Sequence, residues 1–310
     1  MGERAGPGRG DGLDFVEAPA LSPGPSPAWR ERGENPPTPH PVNPAPIGVF
    51  DSGLGGLSVL REIRALLPHE PLLYLADSKY APYGEKPERF VEARTLQACE
   101  WMIGQGCKAL VIACNTATGH AVALLRERLP VPIIGVEPGL KPAAAASRSK
   151  VVGVLATANT LKSAKFARLL ASLEGESRFL CQAGLGLVTL VEQGQTVGPA
   201  VRERLEAYLT PMLEAGADTL VLGCTHYPFL EGAIRAIAGN RLALVDTGSA
   251  VARRLARKLD EHALAAPPDA AGHDRFVSTK DAAHLRAMVA ALLQRQVDAE
   301  TVVIEPAPAF

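Results

Sequence analysis

The chain of 310 residues is long enough for one large or two ordinary domains. Hydrophobic residues make up 47% and charged residues 21%, a globular composition that argues against disorder throughout. The net charge of −1 gives no positive field to gather nucleic acid or an anionic membrane. No apolar run approaches the roughly 18 residues that a membrane span needs.

The first 46 residues differ from the rest, because they hold 11 of the 26 prolines and show no sustained apolar periodicity. Such a segment buries too little apolar surface to offset the entropy of ordering it. We therefore predict a disordered leader over residues 1–46, and we expect deletion of residues 1–44 to leave fold and catalysis largely intact. The alternative is that Phe15, Val16 or Trp29 docks on the folded part.

From Ile47 onward, short apolar runs alternate with helical patterns. The strands are predicted at residues 47–50, 72–76, 109–113 and 131–136, and the helices between them at residues 57–67 and 90–105. Strand–helix alternation is typical of mostly parallel sheets with helices on both faces. The sequence therefore predicts an α/β fold.

The pattern then repeats within the chain. Three pairs of segments resemble each other in the same order: residues 48–50 and 153–155, residues 106–116 and 216–226, and residues 133–139 and 242–248. Such order indicates two related α/β domains. We predict that residues 47–138 and a return segment at 248–310 form one domain, and that residues 139–247 form the other.

Two of the five cysteines, Cys114 and Cys224, follow equivalent strands of the two halves. Ligands of parallel sheets bind beyond the carboxyl ends of the strands, so the two thiols are expected to face each other across one cleft. One thiol could then act as base and the other as acid during inversion of a carbon centre, since the ordinary pKa of a thiol is about 8.5. The alternatives are buried packing cysteines, or a redox pair with Cα atoms within about 7 Å.

Other polar residues leave two interpretations open. Asp51 ends the first strand and could cap a helix or act as a carboxylate in the cleft. His226 could relay a proton for Cys224 or end a turn, and Glu192 by spacing alone is an exposed helix acid. The glycine-rich loop after Asp51 lacks the third glycine of a dinucleotide fingerprint, because Ser58 stands there, so a small carboxylate is the better ligand.

Taken together, these segments resemble the glutamate racemase family, a branch of the cofactor-independent aspartate/glutamate racemase superfamily. The matching stretches are residues 51–59, 81–84, 113–117, 135–138 and 223–228. The resemblance runs from about residue 47 to 305, and it also implies two C-terminal strands at residues 275–279 and 301–305. The leader lies outside it.

The resemblance implies roles for particular residues. Cys114 and Cys224 would be the acid/base thiols, with Asp51 assisting near Cys114 and His226 with Glu192 assisting near Cys224. The carboxylates and amine of the substrate would be held by Asp51, Ser52, Tyr83, Gly84, Asn115, Thr116, Thr225 and His226. No cofactor and no metal are implied. The expected protein is a cytoplasmic homodimer that supplies D-glutamate for peptidoglycan synthesis.

Two other functions stay open at this stage. An aspartate or hydantoin racemase of the same superfamily would share the two cysteines but differ in the substrate that it inverts. A non-catalytic binding protein would bind a small ligand without exchanging its α-proton with deuterated solvent.

Overall fold

The computed structural model describes residues 1–2 and 44–305. The predicted leader lies outside the described residues except at its two ends, and so do Phe15, Val16 and Trp29. Within the described part of the chain, no helix is both long and apolar enough to cross a membrane.

Strands and helices alternate along the described residues. The strands are β1 Ile47–Asp51, β2 Leu72–Ala76, β3 Ala109–Ile112, β4 Ile133–Gly135, β5 Val151–Ala156, β6 Arg178–Ala183, β7 Thr219–Gly223, β8 Ala243–Val245, β9 Asp274–Ser278 and β10 Ala299–Thr301. The helices are α1 Leu57–Leu66, α2 Glu88–Gly104, α3 Asn115–Arg128, α4 Leu140–Ala146, α5 Ala158–Lys162, α6 Ala164–Ala171, α7 Leu187–Glu192, α8 Pro199–Glu214, α9 Glu231–Ala238, α10 Gly248–Glu261 and α11 Ala282–Leu293.

The strands of the described residues form two sheets. One has six strands in the order β10-β9-β2-β1-β3-β4, and the other has four in the order β6-β5-β7-β8. Every pair of neighbouring strands in them is parallel. The prediction of an α/β fold with parallel sheets is confirmed.

Helices cover both faces of each sheet, which explains why the central strands read as continuous apolar runs. In the six-stranded sheet, Ile47 and Val49 face one core and Phe50 faces the other. Val251 and Leu255 of α10 return to the first of these cores. The exact domain boundaries at residues 138/139 and 247/248 stay a prediction.

The strand register relates β1 to β5 and β3 to β7. Gly48 pairs with Leu110 in the six-stranded sheet, and Gly153 pairs with Leu220 in the four-stranded sheet. These pairs reproduce two of the sequence matches, since Gly48 matched Gly153 and Leu110 matched Leu220. The two halves therefore share one backbone plan as well as a sequence pattern.

Gly48 and Gly153, which occupy equivalent positions in β1 and β5, each lie against a methionine of a neighbouring helix. A Cβ built on Gly48 would lie 2.8 Å from Cε of Met102, and one built on Gly153 would lie 2.6 Å from Sδ of Met212. A glycine at each position leaves the helix methionine room against the strand, and a larger residue would require the methionine to move. Helix α2, which precedes β3, and helix α8, which precedes β7, thus pack on their sheets in the same way.

The third sequence match is shifted by two residues in the structure. Leu110 pairs with Ile133 in one sheet, and Leu220 pairs with Leu244 in the other. The equivalent of Ile133 is therefore Leu244, whereas the sequence match had predicted Leu242. A shift of two residues keeps every side chain on the same face of a strand, so an apolar pattern does not detect it.

The chain after Cys224 differs from the chain after Cys114. Helix α3 begins directly after Cys114, whereas a 3-10 turn over Tyr227–Leu230 precedes α9 in the other half. Pro228 lies in the first turn of this element, where a missing main-chain N–H costs no helical hydrogen bond.

The last strand lies earlier than the resemblance implied. Residues 301–305 were expected, but β10 covers Ala299–Thr301. It is an edge strand whose side chains are partly or fully exposed, so no apolar pattern marks it.

Candidate active site

Cys114 and Cys224 line one cavity at the carboxyl ends of β3 and β7. Both side chains are only 6% exposed. The full lining is Ser52, Pro82, Tyr83, Gly84, Cys114, Asn115, Thr116, Thr157, Val188, Cys224, Thr225 and His226. The cavity measures about 20 Å³, which is space for about one water molecule, so the cleft is closed.

Most of the residues that the sequence singled out therefore meet at one place. All of those with a predicted binding role line the cavity except Asp51, which is fully buried behind it. Glu192 is also outside the lining, but it contacts His226.

Cys114 occupies the N-terminus of α3. It is the N-cap residue, and its sulfur accepts a hydrogen bond from the Ala117 main-chain N–H at 3.4 Å. The Ser52 hydroxyl lies 3.4 Å from the same sulfur. Burial, together with the nearby Asp51 carboxylate, raises the pKa of Cys114 to about 12. Cys114 is therefore a protonated thiol at neutral pH.

Asp51 ends β1 and is enclosed completely. Its Oδ2 accepts a hydrogen bond from the Gly53 N–H at 3.0 Å, whereas Oδ1 has no hydrogen-bond partner among the described residues. Burial raises the pKa of Asp51 to about 6, although the charge of His226 opposes the rise. The main-chain N–H groups of Gly53 and of Gly56, the N-cap residue of α1, also oppose the rise in the pKa of Asp51, so its carboxyl lies at the start of that helix.

Cys224 has an imidazole beside it instead of a helix N-terminus. His226 Nδ1 lies 3.6 Å from the Cys224 sulfur, and His226 Nε2 lies 2.6 Å from Oε1 of Glu192. The Leu54 N–H donates to the same Glu192 oxygen at 2.7 Å. Glu192, His226 and Cys224 thus form one hydrogen-bonded chain, and its carboxylate is anchored by the opposite half.

The charges in this chain follow from its contacts. Burial alone would lower the pKa of His226, but hydrogen bonds with Cys224 and Glu192 outweigh it and hold that pKa well above the ordinary value. Burial would raise the pKa of Glu192, but the bonds from His226 and Leu54 keep it low. At neutral pH a protonated imidazole therefore lies between the carboxylate and the Cys224 sulfur.

Two glycines after Asp51 allow this approach. A Cβ on Gly53 would lie 2.1 Å from Oε1 of Glu192, and a Cβ on Gly55 would lie 2.3 Å from Nδ1 of His226. Ser58 adds a further link, because its hydroxyl donates to the Thr225 carbonyl at 2.8 Å. The loop of the six-stranded half is thus fitted against the residues that surround Cys224.

Tyr83 reaches the cavity without offering its hydroxyl to it. That hydroxyl donates to Oδ2 of Asp77 at 2.6 Å, and Arg94 donates to both oxygens of the same carboxylate. Asn159 of α5 donates to the Tyr83 carbonyl at 3.1 Å. The loop from Pro82 to Gly84 is therefore held by buried bonds from behind and by a cross-cleft bond from the other half.

Sequence reasoning missed Thr157, Val188 and Pro82 of the cavity lining. The Thr157 hydroxyl lies 3.0 Å from that of Thr116. A signal for Thr157 existed, because the match of Gly48 with Gly153 also equates Ser52 with Thr157. No comparable signal marked Val188.

Fold and site together define a class of protein. It has two related α/β halves with parallel sheets, and each half contributes one cysteine to a shared cavity. The family model for Asp/Glu/hydantoin racemases matches residues 47–255. The chain belongs to the Asp/Glu/hydantoin racemase family.

Individual relatives agree with this assignment. The glutamate racemase of Cupriavidus pinatubonensis is 81% identical over 269 residues, which cover 87% of this chain and 99% of the relative. The Francisella tularensis glutamate racemase in complex with D-glutamate superposes with a TM-score of 0.74 at 28% identity, over 84% of this chain and 98% of that one. The Escherichia coli enzyme, in complex with L-glutamate and the activator UDP-MurNAc-Ala, gives 0.73 at 33% identity, over 83% and 98%.

Proposed function

We propose that this chain interconverts L-glutamate and D-glutamate without a cofactor, by moving protons between the α-carbon and the thiols of Cys114 and Cys224. The observation that carries the proposal is the placement of these two thiols at equivalent strand ends on one cavity. The substrate is supported by the 81% identical glutamate racemase and by the two similar structures that contain glutamate enantiomers.

In each turnover, one thiolate removes the α-proton from one face of the substrate, and the opposite thiol gives a proton to the other face. The C–H bond breaks on the first face and a new one forms on the second, so the first cysteine ends as a thiol and the second as a thiolate. The reverse reaction exchanges the two roles. No electron transfer and no further reactant are needed.

We infer the resting roles of the two thiols from their surroundings. Cys114, with its pKa of about 12, is the acid. A protonated His226 with Nδ1 3.6 Å from the Cys224 sulfur would stabilise a thiolate there, so we propose Cys224 as the base and Glu192 as the residue that holds the imidazole in place. After a turnover Cys114 is the thiolate and must take up a proton again. The nearby Asp51 carboxyl, with a pKa of about 6, favours this step because its charge raises the pKa of Cys114.

The substrate carboxylates and amine would be held by the polar residues of the lining. The side chains of Ser52, Asn115, Thr116 and Thr225 are available for this. Because the Tyr83 hydroxyl is bonded to Asp77, we propose that Tyr83 and Gly84 contribute their main chain. The N-terminus of α3 provides further N–H groups for a carboxylate.

Glutamate cannot enter a cavity of about 20 Å³, so we propose that the two halves separate at the cleft during turnover. A second cavity of about 370 Å³ shares Pro82 and Val188 with the first and extends to Lys280 and His284. We propose that glutamate enters by this second cavity.

Circular dichroism of purified protein with each enantiomer of glutamate, aspartate and a 5-substituted hydantoin tests the substrate. We expect inversion of both glutamate enantiomers, with uptake of solvent deuterium at the α-carbon. Inversion of aspartate or the hydantoin in preference to glutamate would replace the proposal. Glutamate binding without deuterium uptake would favour a binding protein.

We further propose that the enzyme acts in the cytoplasm as a homodimer and supplies D-glutamate for peptidoglycan. Rescue of a bacterium that requires external D-glutamate would support the cellular role. Sedimentation of the purified chain would give its subunit number, and a monomer at working concentration would exclude the dimer.

A further inference from the structure

His284 lies outside every motif of the sequence but contacts the residue that orients His226. Its Nε2 is 2.9 Å from the main-chain oxygen of Glu192. His284 belongs to α11, which packs on the six-stranded sheet, whereas Glu192 ends α7, which packs on the four-stranded sheet. The Glu192 side chain is bonded to Leu54, also from the six-stranded half. That half therefore holds Glu192 at both its main chain and its carboxylate.

We propose that His284 is a positioning residue for the Cys224 side of the site. By donating its Nε2–H to the Glu192 carbonyl, it fixes the end of α7 and so aims the Glu192 carboxylate at His226. This inference deepens the proposed function and rests on it.

The geometry of α7 explains why such support matters. The helix has six residues, too few to be stable alone, and the last carbonyls of any helix lack a partner within it. Glu192 is the last residue of α7, and Gly194 turns the chain with φ of 79° just beyond it. A donor at the Glu192 carbonyl therefore acts where the helix is weakest.

Helix α11 is itself fixed at this point. Asp281 accepts hydrogen bonds from the main-chain N–H groups of Ala283 and His284. One turn further on, Met288 packs next to the turn after α7, since a Cβ on Gly194 would lie 3.5 Å from its sulfur. Two separate contacts thus seat the end of α7 on α11.

The chemistry of the contact allows a selective substitution. A carbonyl oxygen only accepts, so the histidine ring must carry a proton on Nε2, as it does in the imidazolium and in one neutral tautomer. A glutamine amide can donate in the same direction, but alanine cannot. His284→Gln should therefore preserve what His284→Ala removes.

The experiment measures kcat and KM for glutamate racemisation by the wild-type chain, His284→Ala and His284→Gln. We expect the alanine variant to lose about fivefold in kcat, because one hydrogen bond that holds Glu192 is lost, with a smaller change in KM that reports the loss of His284 from the wall of the second cavity. The glutamine variant should recover most of the loss. Equal loss in both variants, or full activity in the alanine variant, would overturn the proposal.

His69 provides a matched control. Its Nδ1 lies 3.0 Å from the Ala270 carbonyl, in an exposed contact outside the cavity lining. His69→Ala also removes a histidine-to-carbonyl contact, and it should leave kcat unchanged.

A double variant separates positioning from a general structural role. If His284 acts through Glu192, then His284→Ala should cost nothing further once Glu192→Ala has removed the carboxylate that His284 positions. Additive losses would contradict the inference. A wild-type chain that does not racemise glutamate would overturn the proposed function and this inference with it, whereas an active wild type with an unaffected His284→Ala overturns the inference alone.

Discussion

The two sides of the cavity present the same residue type in different surroundings. Cys114 lies at a helix N-terminus, beside the Ser52 hydroxyl and a buried carboxyl, and its pKa is raised to about 12. Cys224 lies before a 3-10 turn, with a protonated imidazole 3.6 Å from its sulfur. The backbone is repeated in the two halves, but the charge beside each thiol is not.

One pair of positions accounts for much of the difference. The match that equates Cys114 with Cys224 also equates Thr116 with His226. Thr116 contacts the hydroxyl of Thr157 across the cleft, whereas His226 contacts the carboxylate of Glu192. Two equivalent thiols thus stand beside different neighbouring groups, because a single equivalent position is threonine in one half and histidine in the other.

Removal of either thiol should have the largest effect. Cys114→Ala and Cys224→Ala should each lose racemisation by about a thousandfold or more in both directions, because every turnover needs a base and an acid. Solvent deuterium exchange should tell the two apart. Cys114→Ala keeps the thiol beside His226 and should still exchange the α-proton of one enantiomer without inversion.

Cys224→Ala should exchange much more slowly, because burial and the Asp51 charge raise the pKa of the remaining Cys114 thiol and keep it mostly protonated. Cys107→Ala serves as the control and should be catalytically near neutral, since Cys107 precedes β3. Exchange by Cys224→Ala at the rate of Cys114→Ala would contradict the assignment of unequal thiols.

The pair Thr116 and His226 gives the next largest effect. His226→Asn should lower kcat/KM about a hundredfold, because it removes the charge beside Cys224. Thr116→Val should cost about tenfold or less, since it removes hydroxyl contacts without changing any charge. Steady-state rates of both variants test this order, and similar losses would mean that the imidazole only fills space.

The Asp51 carboxyl should affect stability in a pH-dependent way. Because burial raises its pKa to about 6, folding favours the protonated form, and the wild type loses stability as pH rises through 6. Asp51→Asn cannot ionise, so urea unfolding should find the variant more stable at pH 8 by up to about 3 kcal/mol, with the difference vanishing near pH 4. A difference that does not change with pH would refute a buried charge.

Asp218 is the control for this experiment, because its pKa is lowered in the fold whereas that of Asp51 is raised. Hydrogen bonds from the Ser147 hydroxyl and from the main chain of Arg148 and Ser149 outweigh its partial burial and lower its pKa. Its charged form stabilises the fold, and that contribution disappears as pH falls through the lowered pKa. Asp218→Asn should therefore be less stable than the wild type at pH 7, with a smaller difference in acid.

Local patterns predict the central strands well. The prediction for residues 72–76 coincides with β2, and that for residues 47–50 misses only Asp51 of β1. These strands are buried on both faces, so apart from Asp51 every residue in them is apolar or small and the run is visible in the sequence. The equivalence of the two cysteines also follows from sequence, because the matched segments pair in register.

The rest depends on contacts that no local pattern contains. Glu192 looks like an ordinary helix acid, and only the packing of a six-residue helix brings it to His226 and Leu54. His284 is exposed and lies 92 residues from its partner in sequence. Thr157 is the exception, because the internal repeat places it at the position equivalent to Ser52.

The unequal charges beside the two thiols meet a thermodynamic limit. Mirror-image forms of glutamate have the same free energy in water, so their equilibrium constant is unity. Detailed balance then requires equal kcat/KM in the two directions at every pH and in every variant. The imidazole beside Cys224 and the carboxyl beside Cys114 can only make one enantiomer bind more tightly and turn over more slowly than the other. Chemical asymmetry in this site therefore sets how saturated the enzyme is with each enantiomer, and never the final mixture.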